Sequence, residues 1–579
     1  MKKKCALLGC LILQFVFVAC DTKKELSINK RIIMEAERAD LLNTLIRVND
    51  TRVQFFIDKQ VVDVSSRDFG GVLDPNGIPS NYQDAALIQT FTCAYVSKSS
   101  SYYLSDELMK RMMYAVKNLL ATQHPDGTID LVTTNFHSTP DTGFTIPSLS
   151  MAYLLLLQNG IESELATLIK EFLLKAGDAL SVGGIHTPNH RWVVCAALSW
   201  VNRLFPNEKY QKRIDQWLAE GIDLDADGQY YERSTATYSP VCNRALITMA
   251  FNLGEDYHYL YDYVRKNLNM TLYFMHPNGE IVTESSNRQD KYQVATMSNY
   301  YFSYRFMALH DQDQLFSGMV EHIETSSRAE GLLEILPYSM LHPELTGQLP
   351  ALASLPNKYE KHFPHSDIMR IRNEEVDMSM IMNNPTFFTY FKDNAPLEAM
   401  QLATTFFGYG QFQSATIKKE GNAYVLEKHG LRGPYYQPIP KDELLTHDGD
   451  YSVMGHKYRK MSEVQESDMT VWITPDGKKA HIRVKIDCPG NNRLVVALQM
   501  AFRYGGKLEN VVPKQEIKDA YTTKNGEYFT YTKDGSTIKV GPCISQHTWT
   551  QLRNALPKQD AQSVYMTCFA PCEFEFTIE

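Results

Sequence analysis

Between residues 107 and 222, apolar positions recur near i, i+3, i+4 and i+7 in runs of helical length. The clearest are "ELMKRMMYAVKNLLATQ", "TIPSLSMAYLLLLQNG", "ESELATLIKEFLLKAGDAL", "HRWVVCAALSWVNRLF" and "QKRIDQWLAEGI". Polar loops separate them, and the alternation extends from about residue 30 to 350. Successive helices joined by short loops predict an array of antiparallel helical hairpins. Three turns punctuate that array: His124-Pro125-Asp126-Gly127, Asp225-Ala226-Asp227-Gly228 and His276-Pro277-Asn278-Gly279, each followed by a short extended piece. Asp-Gly and Asn-Gly pairs suit turns that need positive φ. Their recurrence at the ends of helical stretches predicts one rim of a closed or curved α/α array.

Beyond about Pro356 the period changes from helical to two. "ATIKKEGNAYVLEKHG", "DMTVWITPDGKKAHIRVKID", "RLVVALQMAFRYGG", "GEYFTYTKDGSTIKVGP" and "CEFEFTIE" alternate apolar and polar residues and break at Asp-Gly or Gly-Asn pairs. These read as antiparallel strands of a β-sandwich. The expected class is therefore α+β and multidomain, with a helical domain over 21–355 and an antiparallel β domain over 356–579.

The first residues carry a different message. Lys2-Lys3-Lys4, an apolar stretch from about Ala6 to Val18 and the end Phe17-Val18-Ala19-Cys20 form a secretory signal with a lipoprotein-type cleavage site. The stretch is too short to span a membrane as a helix. Residues 1–20 are set aside as the signal peptide, and Cys20 becomes the lipidated first residue of an exported, membrane-tethered protein. The expected location is the outer membrane, at its surface or periplasmic face. A net charge of −9 with no long basic run argues against a nucleic-acid partner. Seven cysteines remain after Cys20; Cys195 lies in an apolar helix, and Cys568 and Cys572 could pair or stay as buried thiols.

Polar residues concentrate at loop-to-helix junctions in "NFHSTPDTGF" (135–144), "GGIHTPNHRW" (183–192), "DGQYYERSTATYSP" (227–240) and "NGEIVTESSNRQDKY" (278–292). Here the sequence resembles the heparinase II/III-like α/α-toroid polysaccharide lyases. Their D-G-x-x-x-E-x-S-x-x-Y hallmark is matched by Asp227, Gly228, Glu232, Ser234 and Tyr238, and their helix-opening Asn-His pair by Asn189-His190. "HFPHSDIMRIRN" resembles the entry to their β domain, and "KKAHIRVKID" a later strand. The resemblance implies an α/α toroid followed by a β-sandwich, and within the family a rhamnose-glucuronate lyase-type branch. The Gly-His-x-His-x-Asp type of segment of that β domain is missing, which argues against a metal site and a second catalytic His from the sheet.

The implied reaction is β-elimination from a uronic acid in a polysaccharide or oligosaccharide. The C5 proton is weakly acidic beside a carboxylate, so the enzyme must neutralise that carboxylate and place a base at C5. Tyr238 is the expected base and acid, Asn189 and Arg288 the carboxylate partners, and His190 the further catalytic candidate. His137, Arg191, Glu232, Arg233 and Gln289 are the expected substrate contacts. In a gluco-configured uronate H5 and O4 share one ring face, so one Tyr can serve both; a galacto or ido configuration requires a second residue, His190 or His137. Blander readings stand beside these: Asn189 as a helix cap, Tyr238 as a core anchor, Glu232 as an ion-pair partner, a hydrogen bond between His137 and Asp141, and Trp192 as core. A glycoside hydrolase using Asp141, Asp227 and Glu232, or a glycan-binding lipoprotein without catalysis, are the competing functions. No organic cofactor motif is present, and the spacing supports neither Ca²⁺ nor Zn²⁺.

Overall fold

A computed structural model describes residues 41–490 and 493–579. The signal segment and Cys20 lie outside the described residues. The chain divides into two compact units. The first contains the described residues up to Asp223, with Thr237–Leu268 and Met297–Leu355; the second contains Leu224–Ala236, Asn269–Thr296 and Pro356–Glu579.

In the first unit, helices Asn81–Val96, Thr139–Gln158, Pro188–Leu204 and Tyr238–Leu253 pack side by side in that order. Helices Asp106–Thr122, Glu164–Val182 and Glu208–Leu218 alternate with them in sequence and form a second row. Side-chain character decides the row. Pro188–Leu204 buries Trp192, Cys195 and Trp200 among many others, whereas Glu208–Leu218 buries only Tyr210 and Ile214. A helix that is apolar all round needs neighbours on every side, and an amphipathic one needs them on one face. Because every inner helix is followed by a returning outer one, the four inner helices run parallel. Their N-termini therefore lie at one end of the array. A Cβ placed on Gly143 would lie 3.4 Å from Val193 Cγ1, so the second turns of two neighbouring inner helices pack closely.

The second unit is built on two sheets, antiparallel throughout except where Ala520–Thr522 runs parallel to Gln562–Ala570. Alternation sets the packing: Met469, Val471 and Ile473 on one strand and Ile482, Val484 and Ile486 on its neighbour point into a core shared with Met378, Leu402, Leu498 and Met500 of the other sheet. The sulfurs of Cys568 and Cys572 sit 3.4 Å apart as neighbouring thiols.

The strand Val376–Ile381 is buried on both faces. Residues 269–296 explain why: Met270, Phe274 and Val282 pack on Phe363, Ile368 and Ile381. A single cut at 355 thus misses two stretches, 224–236 and 269–296, that belong with the sheets. Helical periodicity passes over them because their structure is turn and bridge, and their apolar partners come much later in the chain.

The repeated turn is real and occurs four times among the described residues. In each, the first residue's N–H donates to the carbonyl four residues on, and the glycine N–H donates back to the first carbonyl: 124–128, 225–229, 276–280 and also 74–78 ("DPNGI"). The four glycines, Gly77, Gly127, Gly228 and Gly279, all have positive φ. At Gly127 a Cβ would also fall 2.1 Å from the Lys175 carbonyl oxygen, so glycine is required twice over. The turns at 225 and 276 belong to the second unit and the other two to the first.

Where the 276 turn meets the sheet lies a buried ionic network. His276 reaches Glu284 through Nε2 at 3.0 Å and Asp377 through Nδ1 at 3.0 Å, and Arg370 reaches Asp377 at 2.7 Å. Two cations face two anions, with the imidazole stacked on Phe391 at 3.5 Å between centroids. Burial alone would strip the proton from His276, but Asp377 and Glu284 outweigh it and raise its pKa to about 9. A group whose pKa rises on folding contributes stability that is fully present below its unfolded value, about 6.5, and is lost as pH climbs through the folded value. Denaturant unfolding of the second unit should therefore weaken between about pH 7 and 10. A His276→Gln variant should lack this slope, and a parent whose stability is flat across that window would rule out the charged imidazole.

Candidate active site

The sequence candidates fall into two groups, one in each unit. In the first unit, Asn189 and His190 occupy the first turn of the Pro188–Leu204 helix, and Tyr238 is the first residue of the adjacent parallel helix. Proline at the first position favours this helix start, because its ring presets φ and its missing N–H would have been unpaired. Asn189 is buried, and its amide Nδ2 donates to Thr187 Oγ1 at 3.3 Å. The His190 ring meets Phe144 edge-on at 6.2 Å and His186 at 4.7 Å between centroids, which fixes its plane.

The caps differ in a useful way. Ser80 and Ser138 accept hydrogen bonds from first-turn N–H groups of their helices, whereas Thr187 and Thr237 make no side-chain capping bond. The two helices that carry Asn189, His190 and Tyr238 are thus the two inner helices whose positive ends are not closed by their own cap side chains. Such ends favour an approaching anion.

In the second unit, two polar stretches distant in sequence are fastened together. Arg288 Nε lies 3.3 Å from Glu232, the Ala236 N–H donates to Asp290 at 3.0 Å, and Ser286 Oγ also donates to Asp290. Glu232 is buried while Arg288 is partly exposed. Arg233, with φ of 49°, donates to Asp367 at 2.7 Å and to the His365 carbonyl at 2.9 Å. Gln289 is exposed, and its carbonyl accepts from Gln293. The sequence assigned Arg233 to substrate contact, but its guanidinium is engaged by Asp367 within its own unit.

Several expectations are redirected by the geometry. Arg191 pairs with Glu220 at 3.1 Å and Asp223 at 3.2 Å and lies over the Trp192 ring, so two carboxylates already occupy it. Trp192 is fully buried and donates to Asp223, as a core residue does. His137 pairs with Asp126 at 2.7 Å and stacks on His124 at 3.7 Å; its partner is not Asp141. Asp141 accepts from Asn135 and Ser138 at the start of its helix. Asp227 accepts the N–H groups of His365 and Ser366 at 2.7 and 3.0 Å. Both carboxylates accept hydrogen bonds that close local structure.

Sequence reasoning missed the cavity of about 410 Å³ between the inner helices, lined by Arg52, Gln89, Ser148, Arg244, Asn299 and Glu334 among others. Arg244, in the same helix as Tyr238, is ion-paired with Glu334. The available signal was a lone arginine inside the apolar run "VCNRALITMAF", since a charge on an inner helix must face a partner or a polar cavity. Among the described residues no three of His, Cys, Asp and Glu are arranged to hold a metal ion, and no helix is long and apolar enough to cross a membrane.

No protein-family model and no curated protein matches this sequence. Solved structures do. The chondroitin AC lyase of Streptomyces coelicolor A3, in complex with chondroitin sulphate, superposes with a TM-score of 0.56 at 11% identity, covering 93% of this chain and 79% of that one. A Paenibacillus xanthan lyase gives 0.54 at 10% identity over 92% of this chain and 56% of its own length. With its array of helical hairpins followed by antiparallel sheets, the chain has the fold of the α/α-toroid polysaccharide lyases.

Proposed function

We propose that this protein is a polysaccharide lyase that cleaves a uronic-acid linkage by β-elimination and leaves an unsaturated uronate. The observation that carries the reading is the placement of Asn189, His190 and Tyr238 on the first turns of two adjacent parallel helices whose N-caps make no side-chain bond. A carboxylate donor, an imidazole and a phenol at one end of the array are the groups this elimination needs. The shared fold with lyases of chondroitin and xanthan supports the class. The structural roles of Asp141 and Asp227 weigh against the hydrolase reading.

Tyr238 takes the C5 proton and returns one to the leaving O4. The electron pair freed at C5 forms the C4–C5 double bond as the C4–O bond breaks. Asn189 donates from its amide to the uronate carboxylate and stabilises the charge that builds there. Glucuronate is the expected sugar, because its syn arrangement lets one phenol serve both steps; a rhamnose-capped glucuronate is the specific substrate favoured. Lipidation at Cys20 would hold the enzyme at the outer membrane, and Cys20→Ala should move it from the membrane to the soluble fraction.

A panel of uronate polysaccharides followed by ultraviolet absorbance of the unsaturated product tests the class. On the best substrate, Asn189→Ala should lower kcat/KM by about 10²-fold or more, as loss of a donor to developing negative charge does. An Asn189→Ala variant with parental turnover would remove that residue from the reaction, and a panel with no absorbance change would remove the reading altogether.

A further inference from the structure

A second cavity, of about 660 Å³, opens in the first unit near the C-terminal ends of the inner helices, away from the turns that carry Asn189 and Tyr238. Its wall is aromatic: Trp200, Phe251, Tyr261, Phe302, Phe306 and Tyr338. The volume falls within the roughly 300–1,000 Å³ of small-molecule sites. Polar side chains, among them Asn252, His310, His342 and Glu344, interrupt the apolar wall. The indole Nε1–H of Trp200, a residue only 1% exposed, has no hydrogen-bond acceptor. His342 Nε2 is likewise buried without a partner, while its Nδ1 faces Glu344 at 3.4 Å. Arg203, exposed and outside the lining, lies beside the cavity and spreads over the rings of Trp200 and Phe251, at 5.5 and 5.4 Å from their centroids. Its guanidinium donates to the Asn252 side-chain oxygen and, among the described residues, pairs with no carboxylate.

A buried donor without an acceptor costs about 1–3 kcal/mol, so a solvent-open pocket that keeps one is matched to a ligand that supplies the acceptor. Flat aromatic walls select a ring, and an arginine with no acidic partner selects negative charge. We propose that this cavity binds an aromatic carboxylate of the hydroxycinnamate class, its ring among Phe251, Phe302 and Phe306 and its carboxylate toward Trp200 Nε1 and Arg203. This site is independent of the lyase reading, and its readout is binding, so it can succeed or fail whatever the polymer screen returns.

The test is calorimetric titration of the full-length protein with 4-hydroxycinnamate, alongside its neutral methyl ester and glucuronate. Saturable binding of the carboxylate below about 1 mM is expected, with the ester and the sugar weaker by about tenfold or more. Arg203→Met, which keeps the stem packed on the rings, and Trp200→Phe, which keeps a ring and removes the N–H, should each weaken binding by about tenfold. Arg203→Met removes no buried ring, so it remains informative if Trp200→Phe proves unstable. Absence of saturable binding, equal binding of the ester, or unchanged affinity in a folded Arg203→Met protein would each overturn the proposal.

Discussion

Tyr238→Phe should lower turnover on the best uronate polymer by about 10²–10⁴-fold, with the upper end expected because one phenol serves both proton transfers. That range corresponds to about 2.7–5.4 kcal/mol in the barrier. The ring remains, so its packing at the start of the Tyr238–Leu253 helix is kept. Loss of the hydroxyl should cost folding stability only about 1 kcal/mol. Substrate affinity should change little, since the carboxylate donors are untouched. The separation matters: a merely structural tyrosine would move the melting temperature and kcat together. A variant that melts like the parent and turns over within about threefold of it would return residues 227–238 to a structural role and direct the search for the base to His190 and His137.

The second large effect is on stability. Asp377→Leu should destabilise the second unit by about 3–5 kcal/mol, because it leaves Arg370, fully buried, without its carboxylate. Asp377 contacts His276 as well, so the same change deprives the imidazolium of one of its two anions. The double variant Arg370→Met with Asp377→Leu removes the orphaned charge and should recover much of the loss, as apolar replacements of buried pairs do. Denaturant unfolding followed by the fluorescence of Trp472 and Trp549, both in the second unit, reads the effect. If Asp377→Leu and the double variant unfold at the same denaturant concentration, the charge imbalance is not what destabilises the single variant.

The two fold classes were legible because each rests on local periodicity: the 3.6-residue pattern of "HRWVVCAALSWVNRLF" and the alternation of "KKAHIRVKID" need no knowledge of partners. The candidate residues were legible as junctions, and Asn189, His190 and Tyr238 do open helices. What the sequence hid was long-range. Nothing near Met270, Phe274 or Val282 announces that they pack on Phe363, Ile368 and Ile381, so residues 269–296 read as part of the helical domain. His276 reads as one more turn residue until Asp377 and Arg370 arrive from a distant hairpin. Arginines mislead for the same reason. Arg191 and Arg233 lie in polar stretches beside the motif, yet Glu220, Asp223 and Asp367 occupy them, and ion-pair choice depends on which carboxylates the fold delivers.

The central claim is that the bond breaks by elimination, and digestion in water enriched in heavy oxygen tests it most directly. Elimination uses no water: the glycosidic oxygen leaves with the new reducing end and the unsaturated fragment keeps no oxygen at C4, so in a digest stopped before anomeric exchange neither fragment should gain heavy oxygen by mass spectrometry. The two fragments together should also weigh one water less than the pair a hydrolase would release. Incorporation of heavy oxygen at the cleavage position, with saturated uronate ends, would contradict the account and make the protein a hydrolase.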